Sequence, residues 1–167
     1  MFSRRIGTIT LGLFLMGGIT SLAAPTKEEK EVDKYTKMLK NGKEKEKVAA
    51  LKELGRLGAI QVNLTKPIVP EIIAALDDKD EKVRAQAALT IGVIDPEKRD
   101  EVVEKLIKML KDEKEVETVK HAVADGLASM GSGAKEAVPA LNELASKAGK
   151  KDRVYKMAVQ TINGKRK

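Results

Sequence analysis

Apolar residues recur through most of this chain at steps of three and four, the spacing that gathers them on one face of an α-helix. Four segments share the pattern without gaps: VDKYTKMLKN (32–41), VPEIIAALDD (69–78), VEKLIKMLKD (103–112) and VPALNELASK (138–147). Their starts lie 37, 34 and 35 residues apart. Each is followed by a second periodic stretch: EKVAALKELGRLG (46–58), VRAQAALTIGVID (83–95), VKHAVADGLASMG (119–131) and VYKMAVQTIN (154–163). Aligned, the second stretches put Ala50, Ala87, Val123 and Ala158 in one column, and Leu51, Ala88, Ala124 and Val159 in the next. Leu54, Ile91, Leu127 and Ile162 fill the deepest column, and Leu57, Ile94 and Met130 close the first three copies. Alanine in two adjacent columns lets the second helix come close both to its partner and to the next repeat. Period-two alternation of β-branched residues is absent, so the pattern predicts helices alone.

A period of this length marks stacked helical hairpins, each too small to bury its own apolar face. The hairpins are expected at about 28–60, 64–95, 99–131 and 134–163. Gly58 and Gly131 stand where a left-handed helix stop is expected. Pro70 and Pro139 stand near the starts of first helices, where a missing N–H costs little. Thr65 and Pro67 together read as a further helix start, and Asp95-Pro96 ends the second hairpin.

On these columns the chain resembles HEAT repeats, of the short bacterial HEAT-like kind, and the resemblance covers residues 28–163. Its sharpest stretch is VPEIIAALDDKDEKVRAQAALTIGVI. The resemblance implies an all-α fold: a right-handed α-solenoid of about four antiparallel helical hairpins, the armadillo-type superhelix. It also implies a structural role for Asp78 and Arg84, which match an Asp placed five residues before a Val-Arg pair and belong in that family to a charge ladder between neighbouring repeats. The other copies depart from that pattern. Repeat one has Asn41 and Lys47 at these positions, repeat three has Lys120 and two extra residues before it, and repeat four has Gly149 and Tyr155. A continuous ladder is therefore not expected, and the end repeats read as caps. Tetratricopeptide repeats have a similar period, but their Trp, Tyr and Phe columns are missing here.

Residues 1–23 break the repeat pattern. Arg4 and Arg5 precede an apolar run over 6–20, and Ser21-Leu22-Ala23 supplies small residues at a cleavage position. This is the layout of a secretory signal peptide cut after Ala23. The apolar run is 15 residues long and interrupted by glycine, whereas a membrane-spanning helix needs roughly 20 residues. The expected organisation is a signal peptide at 1–23, a short linker at 24–27, the repeat domain at 28–163 and a basic tail at 164–167. The expected location is the periplasm or the extracellular space.

Composition narrows the chemistry. The chain is 167 residues long with 34% charged residues, no Cys, no Trp and a single His. Without Cys there is no disulfide, no thiolate nucleophile and no cysteine metal site. His121, Asp125 and Ser129 share one helical stripe at four-residue steps. A hydrolytic triad needs its base between nucleophile and orienter, whereas here the carboxylate lies in the middle and His and Ser are about 12 Å apart along the axis. The stripe reads as a polar, partly exposed face. Asp77, Asp78, Asp80 and Glu81 form an acidic turn without the glycine and ligand spacing of a calcium loop; its acids read as favouring the next helix N-terminus. No catalytic residue, no metal site and no cofactor are expected.

Charge is unevenly placed. Residues 26–146 sum to −2, and residues 147–167 to +7. The basic end comprises Lys147, Lys150, Lys151, Arg153, Lys156, Lys165, Arg166 and Lys167, either a solvated cap on the last repeat or a patch for an anionic partner. The function expected from all this is an exported, non-catalytic scaffold that binds another protein. The alternatives are a lyase-like or hydrolytic enzyme on the same fold, since some short HEAT-like proteins resemble chromophore lyases, and a peripheral binder of anionic envelope polymers or lipid head groups. Nucleic acid is not an expected partner.

Overall fold

The computed structural model describes residues 24–94, 99–149 and 153–164, and every regular element among them is helical. The signal-peptide reading of 1–23 and the Asp95-Pro96 stop lie outside the described residues. The helices are α1 (Lys27–Asn41), α2 (Glu44–Ile60), α3 (Val62–Thr65), α4 (Val69–Ala75), α5 (Glu81–Ile94), α6 (Arg99–Lys111), α7 (Glu117–Ser129), α8 (Val138–Lys147) and α9 (Val154–Ile162). They form four antiparallel hairpins: α1 with α2, α4 with α5, α6 with α7, and α8 with α9.

Local chemistry sets where the helices begin and end. Thr26 opens α1 with a reciprocal capping box: its hydroxyl accepts from the Glu29 N–H at 3.2 Å, and the Glu29 carboxylate accepts from the Thr26 N–H at 2.7 Å. Gly131 stops α7 with φ of 58°. Gly58 has a different role from the expected helix stop. It sits buried within α2, and a Cβ there would lie 2.7 Å from Ile94 Cγ1 and 2.9 Å from Thr65 Oγ1, so it is a packing glycine. Thr65 and Pro67 stand, as expected, at the start of a helix, a 3₁₀ one, but the Thr65 side chain does not cap it. Its buried hydroxyl donates back to the Val62 carbonyl, closing α3, and a 3₁₀ turn over Lys66–Ile68 leads into α4. Repeat four enters in the same way, through a 3₁₀ stretch over Gly131–Ala137. In both, a proline in the first turn of the following α-helix forgoes an N–H that would have had no intrahelical partner.

The aligned columns make up the core. Ala50, Ala87 and Val123 are fully buried, as are Leu54, Ile91 and Leu127, with Ala158 and Ile162 closing the series. The second helices stack in one row, α2 on α5 on α7 on α9, while the first helices touch one another much more sparsely. The reason is side-chain size at one recurring contact. Gly55 of α2 faces Thr90 of α5, whose buried hydroxyl donates to the Leu51 carbonyl at 3.0 Å. One repeat further on, in the same two columns, Gly92 of α5 faces Gly126 of α7, and a Cβ on Gly92 would lie 2.3 Å from the Gly126 carbonyl oxygen. Backbone therefore meets backbone along the second-helix row. On the other side, the 131–137 stretch packs between α6 and the fourth hairpin, and α3 packs beside α1 and α2. The second helices thus form the closely packed side of the stack, and the first helices the more sparsely packed side.

Candidate binding surfaces

Asp78 and Arg84 do not pair with each other through their side chains; each reaches a different neighbouring repeat. Asp78 Oδ2 accepts from Lys47 Nζ of repeat one at 2.6 Å, and its Oδ1 accepts from the Asp80 N–H at 3.0 Å. Arg84 donates from Nε and one terminal nitrogen to both oxygens of Glu115 in repeat three, at 2.9 and 2.7 Å. Its other terminal nitrogen donates to the Asp78 and Lys79 carbonyls at 2.8 and 3.1 Å. The planar guanidinium fork is what lets one side chain do both. Burial alone would raise the Asp78 carboxyl, but the Lys47 ammonium and the Asp80 amide outweigh it and hold it below the usual carboxylate range. The hydrogen bond to Glu115 outweighs desolvation at Arg84 and raises that guanidinium further.

A two-rung ladder thus joins repeats one, two and three. Lys47 supplies the cation that the sequence pattern left in doubt for repeat one. Glu115 uses the two extra residues of repeat three to reach Arg84, so the insertion that obscures the motif keeps the contact. The cation column continues with Lys120, which is 9% exposed, and ends with Tyr155, whose hydroxyl donates to the Glu117 carboxylate.

Grooves open beside these rungs. One, of about 480 Å³, lies between repeats two and three, floored by Leu76 and Met109 and lined by the Arg84–Glu115 pair. A second, of about 590 Å³, lies between repeats three and four at the corresponding positions, with Lys120 in the place of Arg84.

The His121 stripe holds no catalytic relay. His121 Nε2 is 3.2 Å from the Glu117 carboxylate one turn earlier. Its ring meets Tyr155 edge to face at 5.2 Å. The Ser129 hydroxyl donates to the Asp125 main-chain carbonyl, not to a base. Desolvation by the surrounding helix row raises the Asp125 carboxyl, against the pull of His121. In the acidic turn, Asp77 pairs with Lys105 at 2.6 Å, Asp78 with Lys47, and Asp80 accepts from the Lys82 and Val83 amides at the start of α5. Among the described residues, no group of three or more His, Asp or Glu side chains is placed to hold a metal ion.

At the basic end, Lys147 is paired with Glu143 at 2.7 Å, one turn back on α8, while Arg153 and Lys156 are exposed. Lys150, Lys151, Lys165, Arg166 and Lys167 lie outside the described residues. No helix among the described residues is long and apolar enough to cross a membrane.

Stacked hairpins with a close second-helix row and an inter-repeat ion ladder define an α-solenoid. The sequence profile of HEAT repeats matches residues 32–115 and 69–163. The chain belongs to the HEAT repeat family, whose stacks commonly serve as scaffolds for protein interaction. A search of curated proteins finds no match.

Proposed function

We propose that this chain is an exported, non-catalytic scaffold that binds another protein on the exposed face of its second-helix row. The observation that carries the reading is the continuity of that face. Successive second helices present Lys52 and Arg56, then Gln86, Leu89 and Val93, then Asp125 and Ser129, then Met157 and Gln160, at matching positions along the row. A basic end, an apolar middle with Val93 44% exposed, and a polar end with Met157 60% exposed give such a face direction as well as area. The side chains of a hydrolytic relay are engaged elsewhere, which favours the scaffold over the enzyme reading.

The test is capture of partners from the exported fraction on immobilised full-length chain, compared with Leu89→Asp/Val93→Asp. A stoichiometric protein retained by the wild type and lost by the double variant is the expected result. Equal retention by both, or a bound small chromophore that turns over, sinks the reading. Export rests on the arginine-led apolar run and the small residues at 21–23. Mass spectrometry of the exported protein is expected to find Ala24 or Pro25 as the N-terminus, and an intact Met1 in the membrane fraction would instead make the segment an anchor.

A second reading rests on the +7 balance of residues 147–167: attachment to anionic lipid head groups or envelope polymers. With Lys147 already paired, it depends on Arg153, Lys156 and the residues around them. Each basic group near a charged membrane contributes on the order of 1 kcal/mol, so a chain with Lys150, Lys151 and Lys156 neutralised is expected to lose binding to anionic vesicles at low salt. Equal binding reduces the cluster to a solubilising cap.

A further inference from the structure

The ladder follows a rule: the cation on the first turn of each second helix takes a carboxylate from the loop of the next repeat. Lys47 takes Asp78, and Arg84 takes Glu115. Lys120 occupies the next cation position and is as buried as the rule requires, at 9% exposure. The corresponding loop of repeat four offers Gly149, with φ of 78°, where Asp78 stands in repeat two. Among the described residues, no carboxylate lies within ion-pairing distance of Lys120, whose side chain lines the groove of about 590 Å³. The charges along the two grooves differ accordingly. The groove between repeats two and three is lined by four acidic and four basic side chains, and the one between repeats three and four by two acidic and three basic. Among the described residues, the later groove offers Lys120 no acid in the place that Glu115 takes beside Arg84.

We propose that the groove between repeats three and four is a receptor for a glutamate side chain of the bound partner protein, with Lys120 as the cation that holds it. This rests on the scaffold reading and names a site for it. The Lys120 side chain is packed away from solvent along most of its length and has no carboxylate partner among the described residues, so a carboxylate supplied from outside would pair with it as Asp78 pairs with Lys47 and Glu115 with Arg84. Leu110, Ala140 and Leu144 line the same groove, so the stem of a glutamate and an apolar neighbour find contact there. Glu113 and Glu143 also line it. Their charge disfavours phosphate-rich polyanions and leaves a single carboxylate on a peptide as the better match.

The probe is acetylated, amidated Leu-Glu-Leu, titrated into the full-length chain and followed by NMR at the Lys120 ε-methylene and the Leu110 and Leu144 methyl groups. The Leu-Gln-Leu peptide is the control. The expected result is saturable shifts at all three residues with the glutamate peptide. Affinity should fall by about tenfold or more for the glutamine peptide and for Lys120→Met, and be retained by Lys120→Arg. Should Lys120→Met fold poorly, Lys147→Glu serves in its place: the position is exposed, the new carboxylate lines the groove, and it should abolish the shifts. The site is overturned by equal binding of the two peptides, by undiminished binding to Lys120→Met or Lys147→Glu, or by no shift at Lys120 up to about 10 mM peptide. If Lys120→Met still captures the exported partner that the wild type captures, the site fails and the scaffold reading stands. Loss of capture only with Leu89→Asp/Val93→Asp assigns the partner to the helix face alone.

Discussion

Gly126→Ala places a methyl group where the α5 backbone already is. The added Cβ would lie 2.3 Å from the Ala88 carbonyl oxygen and 3.0 Å from its carbon. Backbone atoms inside a helix do not rotate aside, so α5 and α7 must separate by on the order of 1 Å. A gap of that size forfeits a quarter to a half of the dispersion attraction across the contact, and overpacking of this kind costs about 1–3 kcal/mol. The upper end applies here, because both surfaces are helix backbone and Ile91 and Leu127 pack in the same row. Replacing a mid-helix glycine by alanine returns about 1 kcal/mol through helix propensity, leaving a net loss of about 2 kcal/mol. Gly55→Ala is the matched control. It occupies the corresponding contact one repeat earlier, but its Cβ would meet only Thr90, at 3.5 Å or more. There the propensity gain stands unopposed, and about 0.5–1 kcal/mol of stabilisation is expected. Urea denaturation of the full-length chain, followed by helical circular dichroism, reads both. With a slope near 2 kcal/mol per molar, the Gly126→Ala midpoint should fall by about 1 M and that of Gly55→Ala should rise. Two variants moving in the same direction would refute the backbone-contact account of the helix row.

Ile91→Ala empties a fully buried position between paired helices and should cost about 2–5 kcal/mol in the same assay; an unchanged curve would mean the register of α5 is wrong. Asp78 carries the pH signature of the ladder: its folded carboxyl sits below the unfolded value of about 3.9, so its contribution is present above that value and is lost as pH falls through the folded one. The melting-temperature gap between wild type and Asp78→Asn should therefore be largest near pH 7 and close toward pH 3, and a gap independent of pH would remove Asp78 from the ladder's energetics. His121→Ala should cost about 1 kcal/mol through the lost edge contact with Tyr155 while leaving partner capture intact; loss of function in a folded protein would reopen a catalytic role.

The helices and their core columns were legible because a buried face writes its period into the sequence. Leu54, Ile91 and Leu127 announce themselves by recurring at one position with large apolar side chains. The contact that sets the spacing of the row was not legible in the same way. Gly55, Gly92 and Gly126 carry no side chain, and a glycine inside a helix reads equally as a tolerated weakness, a stop or a close approach. The signal was there in the column one residue after the deepest apolar one, Gly55, Gly92 and Ala128, small in the first three copies before Asn163 in the fourth. The ladder was half legible. Asp78 and Arg84 stood out by motif, but their partners lie 31 residues away in each case. Pairing Arg84 with Glu115 requires knowing that a two-residue insertion lengthens a loop toward it rather than away. Thr65 misled because a threonine before a proline resembles a cap, whereas burial against Gly58 turned its hydroxyl inward to the preceding turn.

The same asymmetry that shapes the stack divides its work. The second-helix row is close because small residues bring backbone to backbone, and a contact of that kind has little slack, so it holds the face of that row at fixed spacing. The opposite edge is held by charged side chains spanning loop to helix, and such pairs tolerate substitution of the donor: Lys47 and Arg84 occupy one column with different geometries, each satisfied by a different acid. Replacing Asp78 or Glu115 would strand a largely buried cation at the loop edge, whereas replacing Gly92 or Gly126 would push α5 and α7 apart and shift the face of the row. Variation that changes what the protein recognises without unfolding it is therefore expected at Lys120 and in the grooves along the ladder, and variation at the glycine column is expected to be read first as lost stability. A partner that engages both the face and the groove would be positioned by the rigid side and selected by the charged one.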